Sequence, residues 1–531
     1  MLSIHNLAYA HANKELLFEG LSLSIHTYHK AALVGNNGSG KSSLLKLMAG
    51  LAEPAEGTVQ HSAKPYYVPQ LFGQYNHLTV ARALGIDAPL KALTEILNGH
   101  ASESNLNVLN DDWTLGERCL EALAHWGLED IGLEQAMSNL SGGQKTRVFL
   151  AGIDIHRPEL ILLDEPSNHL DAGGREQLYD WVRRSKATLL VVSHDRRLLN
   201  LLDTVYELSG QGLKTYGGNY DFYAAQKQLE NQALQEEVQD VEKALRKARE
   251  VQRDTAERRQ RLDARGKKKQ EKAGLPSISM NTLRNQAEKS TAKLKSVHSE
   301  KMSTLSQELR ELRHKLPGME QMRFGFDASG LHKGKQLVSA KGINDRYGEK
   351  LLWPENLDFQ VLSGERIALK GPNGSGKSTL IRLILGEREP VTGTLQRAGC
   401  KAVYIDQEYS LIRRQLTVYE QAQQYNRTGL QEHEIKLRLA RFLFQPEDWE
   451  KACNALSGGE HMRLVLCCLT IGETAPDMIV LDEPTNNLDL QNLEMLTAAL
   501  QDYRGTLLVV SHDDYFLKEI AVEKEIVLGG T

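Results

Sequence analysis

Three short motifs occur twice along this chain of 531 residues, in the same order, and the repetition restricts it to architectures built from two similar halves. A glycine-rich run ending in Lys-Ser stands at Gly35-Asn36-Asn37-Gly38-Ser39-Gly40-Lys41-Ser42 and again at Gly371-Pro372-Asn373-Gly374-Ser375-Gly376-Lys377-Ser378, continued by Ser43 and Thr379. A Leu-Ser-Gly-Gly tetrapeptide follows at Leu140 to Gly143 and at Leu456 to Gly459. An apolar run closing in Asp-Glu-Pro completes each set at Asp164 to Pro166 and Asp482 to Pro484, and a histidine, His194 or His512, follows 30 residues after each of those aspartates. Equal spacing in both copies implies one scaffold used twice.

Each motif has a physical task. Glycines let successive backbone N–H groups curl around phosphate oxygens where a helix begins, and the helix dipole adds partial positive charge. Lys41 and Lys377 are then placed for the β- and γ-phosphates of ATP, and Ser42 and Ser378 for its Mg²⁺. Asp164 and Asp482 end hydrophobic strands, where a carboxylate needs a cation, and Mg²⁺ supplies one. Glu165 and Glu483 are the candidates for polarising the attacking water, and His194 and His512 for a further contact to the γ-phosphate. Gln70 and Gln407, after Tyr66-Tyr67-Val68-Pro69 and Tyr404-Ile405-Asp406, are candidates for sensing Mg²⁺ and that water. Tyr347 lies 24 positions before the second loop and is a candidate for stacking on adenine, with His11 and Tyr9 near the matching place in the first copy.

Apolar runs at Leu33-Val34, Leu160 to Leu163, Leu189 to Val192, Ile367 to Leu369, Met478 to Leu481 and Leu507 to Val510 read as strands covered on both faces, with Ser43 to Met48 opening the helix after the first loop. The fold class expected is therefore α/β, two phosphate-loop cassettes joined by a long α-helical hairpin. The first cassette spans residues 1–215, the linker 216–335 and the second cassette 336–531. Between Gln70 and Ser141 the first copy carries about 21 residues more than the second does between Gln407 and Ser457, around 85–115, a candidate contact surface. No apolar run approaches the roughly 18 to 20 residues that span a bilayer, and the N-terminus lacks the pattern of a signal peptide, so a soluble, cytoplasmic protein is expected. The five cysteines show no metal-binding spacing and read as reduced, packed side chains.

The formal charge of -5 conceals an asymmetry, since residues 241–310 hold 19 Lys and Arg against 9 Asp and Glu. Leu234, Val238, Val241, Leu245 and Ala248 step by four and three, as do Met302, Leu305, Leu309, Leu312 and Leu316. Two helices zipped along a seam give that pattern. Ala273-Gly274-Leu275-Pro276-Ser277 interrupts it, so a hairpin is expected, with arms of about 40 to 50 residues reaching some 60 to 75 Å at roughly 1.5 Å per residue. Arg258, Arg259, Arg261, Arg265, Lys267, Lys268, Lys269 and Lys272 crowd toward its tip and suit a phosphate backbone. No Phe, Tyr or Trp occurs from Ala224 to Arg323, which argues for reading folded RNA by shape and charge rather than by stacking on single strands.

Over nearly all its length the chain resembles the ATP-binding-cassette superfamily, and specifically its ABC-F branch. The resemblance is carried by Asn139-Leu140-Ser141-Gly142-Gly143-Gln144 and Ala455-Leu456-Ser457-Gly458-Gly459-Glu460, by Ser167-Asn168-His169-Leu170-Asp171 and Thr485-Asn486-Asn487-Leu488-Asp489, and by Tyr216-Gly217-Gly218-Asn219-Tyr220-Asp221-Phe222-Tyr223, which matches the segment with which ABC-F proteins leave their first cassette. It implies that the cassettes pair head to tail within one monomer, so that Ser141, Gly142, Gly143 and Gln144 complete the ATP site on Lys377, and Ser457, Gly458, Gly459 and Glu460 the site on Lys41. It further implies a ribosome partner, with binding at the exit site in the ATP-closed form, the linker pointed at P-site tRNA and the peptidyl-transferase centre (Leu275, Pro276, Ile278 and Met280 foremost), and release on hydrolysis. Translation regulation and protection of the ribosome against antibiotics both fit. A DNA-maintenance ATPase and the soluble motor of a transporter are the alternatives, the first disfavoured by the absence of a C-terminal coiled coil and the second by the basic hairpin.

Overall fold

A computed structural model describes residues 1–10, 16–273, 296, 299–312, 331–348, 350–472, 474–486 and 488–529. His11, Asn487, Leu316 and the bend residues Leu275, Pro276, Ile278 and Met280 lie outside them, as do the side chains of Tyr347, Arg259, Lys267, Lys268, Lys269 and Lys272. Met1–Phe222 and Gln321–Thr531 pack as one compact unit, and Tyr223–Glu320 form another.

In the first cassette the apolar runs assemble into a six-stranded sheet in the order Tyr66–Val68, Leu160–Asp164, Thr188–Val192, Lys30–Val34, Thr204–Ser209, Gly212–Tyr216. Its neighbours are parallel except for the last hairpin. The strands Leu160–Asp164 and Thr188–Val192 are buried at every position, which is why Leu160 to Leu163 and Leu189 to Val192 are continuous apolar runs and do not alternate. A second, antiparallel sheet joins Leu16–Ile25, Leu2–Ala10 and Glu56–His61. Between the two lies the helix Lys41–Met48, whose Leu44, Leu45 and Met48 are wholly buried with Ile4 and Leu21 from one sheet and Leu33, Leu162 and Leu190 from the other. The phosphate loop is thereby anchored at the start of a helix held on two sides.

The second cassette repeats the plan with a five-stranded parallel sheet, Ala402–Ile405, Met478–Asp482, Thr506–Val510, Arg366–Lys370, Lys524–Val527, and an antiparallel one of Leu357–Leu362, Gln336–Asn344 and Thr392–Arg397. The helix Lys377–Leu385 packs between them. The extra residues of the first copy form two helices, Asp87–Leu97 and Glu103–Leu109, around a small core of Ala92, Leu93 and Leu109.

One difference between the copies shows how the duplicated core was adjusted. Strand register aligns Tyr66 with Val403, since Tyr66 faces Ile161 and Val403 faces Ile479, three residues before Asp164 and Asp482. The Tyr66 hydroxyl donates to Phe149 O at 2.9 Å across the helix Gly142–His156, and a Cβ on Gly152 would sit 1.9 Å from that hydroxyl. The position equivalent to Gly152, eleven residues after the Leu-Ser-Gly serine, is the buried Cys468. Tyrosine with glycine in one copy replaces valine with cysteine in the other.

The connector leaves the first cassette as a helix of 54 residues, Tyr220–Ala273, longer than the periodicity implied because the Gly-Asn-Tyr segment is itself the helix start. Asn219 Oδ1 accepts the Phe222 N–H at 3.2 Å, the bond of an N-cap. The helix is described up to Ala273, next to the Gly274 and Pro276 expected to interrupt it. Residues 299–312 are helical too, and in both stretches the shielded positions include Leu234, Val238, Val241, Leu245, Ala248, Met302, Leu305, Leu309 and Leu312, the expected seam. Arg258, Arg261 and Arg265 are exposed. Among the described residues, no helix is long and apolar enough to cross a membrane.

Gly152→Cys alone should overpack the first core and lower stability by about 1–3 kcal/mol, and adding Tyr66→Val should recover most of that loss. Denaturant midpoints of the three variants test the pairing; equal losses in the single and double variants would refute it.

Candidate nucleotide sites at the cassette interface

Both glycine-rich loops have backbones that other residues could not adopt without displacement. A Cβ on Gly35 would stand 2.3 Å from Leu208 O, and on Gly371 2.8 Å from Leu528 O. Gly40 and Gly376, at φ 96° and 91°, turn the loops into their helices. Lys41 Nζ donates to Gly35 O and Asn36 O at 2.7 and 3.0 Å, and Lys377 Nζ to Gly371 O and Pro372 O at 2.7 and 3.1 Å, so each ammonium is folded back over its loop. The buried hydroxyls of Ser39 and Ser375 have no partner among the described residues. A triphosphate provides acceptors for such hydroxyls and amides, so the residues fit ATP.

The acidic groups converge on the same loops. Asp164 accepts Ser42 Oγ–H at 3.0 Å on one oxygen and Tyr67 O–H at 3.0 Å on the other. Asp482 Oδ2 accepts the Tyr404 hydroxyl at 2.9 Å and the Ser378 hydroxyl at 3.4 Å. Burial raises both aspartates, against the pull of those hydroxyls. A serine and a buried aspartate bonded together beside a phosphate loop are a fit for Mg²⁺, which needs hard oxygen ligands and keeps several waters. Glu165 and Glu483 follow at φ 49° and 48°, in the left-handed region that non-glycine residues seldom enter, and their N–H groups donate to Val192 O and Val510 O. The same strained backbone thus recurs at equal positions in both copies, the kind of outlier that clusters at functional sites.

His194 Nε2 is 3.2 Å from Glu165 Oε1, and His512 Nε2 is 3.2 Å from Glu483 Oε1. Burial pushes Glu165 up to about 8, with Lys41 acting oppositely. Burial also raises Glu483, opposed first by Arg175 and then by Lys377. Burial, then Lys41, holds His194 down at about 3, and burial, then Arg175 and Lys377, holds His512 at about 4. Both rings are therefore neutral near pH 7, hydrogen-bonding groups and not cations.

Gln407 lines a small cavity of about 50 Å³ with Asp482 and Glu483, together with Asn168 and His169 of the other cassette. Gln70 occupies the matching place beyond the strand Tyr66–Val68 and is half-buried. Ser141 and Ser457 each cap a helix. Ser141 Oγ accepts Gln144 N–H while Gln144 Oε1 accepts Ser141 N–H, and Glu460 does the same for Ser457. Gly142 and Gly143, like Gly458 and Gly459, form the first turn, whose free N–H groups suit an anion. Space forbids a side chain at Gly143, where a Cβ would meet His169 O at 2.7 Å, and at Gly459, where it would meet Asn492 Nδ2 at 2.2 Å.

The two cassettes touch through these elements. Asn37 N, in the first phosphate loop, donates to Asp489 Oδ2 of the second cassette at 2.7 Å. Asn373 Nδ2, in the second loop, donates to His169 O of the first at 3.3 Å, with Gly143 close by. Arg196 Nη1 pairs with Glu519 Oε1 at 2.6 Å, and Asn200 Nδ2 donates to the Tyr515 hydroxyl at 3.3 Å. Sequence reasoning gave no role to Tyr67, Tyr404, Asp171 or Asp489. A signal was available: each pair stands at the same offset in both copies, three residues before Gln70 and Gln407, and seven after Asp164 and Asp482.

Paired phosphate loops, each met by the opposite half, define a tandem-cassette ATPase. The chain belongs to the ATP-binding-cassette family, in its ABC-F branch: the ABC transporter family model matches residues 18–168 and 354–486. It is similar to the ATP-binding protein Uup of Caulobacter vibrioides, with 31% identity over 95% of this chain and 74% of that protein. Energy-dependent translational throttle protein EttA of Escherichia coli is 30% identical, over 98% of this chain and 90% of its own. YfmM of Bacillus subtilis, named as an uncharacterised ABC transporter ATP-binding protein, is 29% identical over 98% and 97%. Among solved structures, the complex of an archaeal ribosomal stalk protein with the archaeal ribosome recycling factor aABCE1 aligns with a TM-score of 0.61, covering 99% of this chain and 88% of that one at 20% identity, a likeness of fold.

Replacing Tyr67 and Tyr404 by Phe should raise the Mg²⁺ concentration for half-maximal ATPase about tenfold or more while leaving the fold intact; an unchanged Mg²⁺ requirement would contradict the placement. An unfolded chain protonates histidine below about pH 6.5, whereas His194 held at about 3 stays neutral, so folding stability falls as pH drops below about 6.5, by about 2 kcal/mol for that ring at pH 5. Denaturation midpoints of His194→Gln should show a correspondingly smaller loss between pH 7 and 5.

Proposed function

We propose that the chain is a ribosome-associated ATPase whose ATP-closed form binds the exit site, presents its connector toward P-site tRNA and the peptidyl-transferase centre, and leaves on hydrolysis. The observation that carries this reading is the helix Tyr220–Ala273. At 1.5 Å per residue its 54 residues span about 80 Å, far more than is needed to join two cassettes already in contact. Its exposed Arg258, Arg261 and Arg265, and the lysine-rich sequence after them, suit the phosphates of folded RNA. The relative named as a translational throttle supports translation as the setting.

In this reading the site residues act as follows. Amides of Gly35 to Gly40 and of Gly371 to Gly376, with Lys41 and Lys377, hold the phosphates, joined by Ser43 and Thr379 at the helix starts. Ser42 with Asp164, and Ser378 with Asp482, hold Mg²⁺, with Gln70 and Gln407 beside it. The metal neutralises charge on the triphosphate. Glu165 and Glu483 orient water, and neutral His194 and His512 donate toward the γ-phosphate. Ser141 to Gln144 and Ser457 to Glu460 close each site from the opposite cassette, and Tyr347 is the candidate for stacking on adenine. Pairing is intramolecular, so the working unit is a monomer, and the setting is cytoplasmic. Regulation of translation and relief of drugs bound near the peptidyl-transferase centre both fit this cycle.

Glu165→Gln with Glu483→Gln should keep nucleotide binding and stall release, so that with ATP the double variant sediments with ribosomes and wild type does not. A variant that stays in the light fractions beside intact ribosomes would overturn the partner. Removing residues 262–285 in that background should abolish its effect on translation; an undiminished effect would make the connector a spacer.

A further inference from the structure

Arg175 has no equivalent in the other half of the molecule. It stands four residues after Asp171 in the helix Ala172–Arg184, and the residue four after Asp489 is the buried Leu493. Its side chain is only 10% exposed. Nε donates to Leu170 O at 3.2 Å, but Nη1 is 3.9 Å from its nearest carboxylate oxygen, Asp195 Oδ2, and neither terminal amine makes a hydrogen bond among the described residues. Asp195 Oδ2 is itself engaged by the Tyr179 hydroxyl at 2.5 Å. A guanidinium held mostly inside the fold, with its fork unused and facing a cavity, is placed to take an anion.

The fork borders a cavity of about 340 Å³ between the cassettes, which Asp171 and Tyr179 line with it on one side and Gly371, Pro372 and His512 on the other. Gly371 and Pro372 open the second phosphate loop, and His512 is the partner of Glu483. Apart from burial, the Arg175 charge is the strongest influence on Glu483 and on His512, whereas at Glu165 and His194 that place is taken by Lys41 of the same cassette. The charge of Arg175 therefore bears on one ATP site only.

We propose that Arg175 reaches from the first cassette to bind the terminal phosphate of the ATP held by Lys377, and that Leu493 leaves the Lys41 site without this cation, so that the two sites turn over unequally. Planar guanidinium suits phosphate oxygens, and a cation placed where charge builds during phosphoryl transfer lowers the barrier. The inference rests on Lys377 and Lys41 as phosphate-binding residues.

The test uses the full chain. Photoreactive 8-azido-ATP is trapped with Mg²⁺ and vanadate, the chain is cut within the connector, and label in each half is measured on a denaturing gel. Wild type should trap more label in the half carrying Lys377 than in the half carrying Lys41. Arg175→Ala should lower that label about tenfold or more and change the half carrying Lys41 by less than about twofold, and Arg175→Lys should restore part of the loss. Leu493→Arg should raise trapping in the Lys41 half. Loss from both halves alike, from neither, or from the Lys41 half alone would overturn the role of Arg175. Absence of label from both halves of wild type would overturn the phosphate-loop assignment beneath it.

Discussion

A backbone N–H in the first phosphate loop, at Asn37, donates to the Asp489 carboxylate of the second cassette at 2.7 Å, and the second loop reaches His169 of the first through Asn373. These contacts place groups of opposite halves beside one another where the chain buries most of its charge. Lys41, Asp164, Glu165, Asp482 and Glu483 are each less than a tenth exposed. Charges so buried are tolerable only when matched, and here part of the matching crosses the interface: Asp489 acts on Lys41, Asp171 on Lys377, and Arg175 on Glu483. Separation of the cassettes would remove those partners, so the charge state of these groups and cassette pairing are linked.

Duplication gave the two halves one scaffold but not identical interfaces. Asp171 is bound by Arg147 of its own cassette at 2.8 Å, whereas Arg463, the matching arginine, donates to Phe442 O and Leu443 O and leaves Asp489 to the opposite loop. Arg196 faces Glu519, and Arg197 lies 3.8 Å from Asp514, which occupies the position equivalent to Arg196. Two copies of the first cassette would set arginine against arginine here, so the charges favour pairing of unlike halves.

What the sequence reveals and what it hides divide along a physical line. Residues whose task is set by their own loop are legible: the phosphate loops, the aspartates ending buried strands, the glutamates after them and the histidines 30 residues on fall where short-range spacing puts them. Asn219 was legible as part of a segment, though its work as the cap of a 54-residue helix needed the structure. Tyr67 and Tyr404 were hidden because an aromatic in a strand reads as core, and only the fold shows their hydroxyls on Asp164 and Asp482. Arg175 was hidden more deeply. On its own helix it reads as an ordinary surface charge, and only the fold shows it mostly shielded and lining a cavity that Gly371, Pro372 and His512 of the other cassette share.

The most direct test of sites shared between cassettes is the location of trapped nucleotide after Ser141→Arg in the full chain, which blocks the first cassette's Leu-Ser-Gly-Gly helix without touching either phosphate loop. Sharing predicts that label disappears from the half carrying Lys377, across the interface, while the half carrying Lys41 keeps it. Loss confined to the half that bears the substitution would contradict head-to-tail completion of the sites.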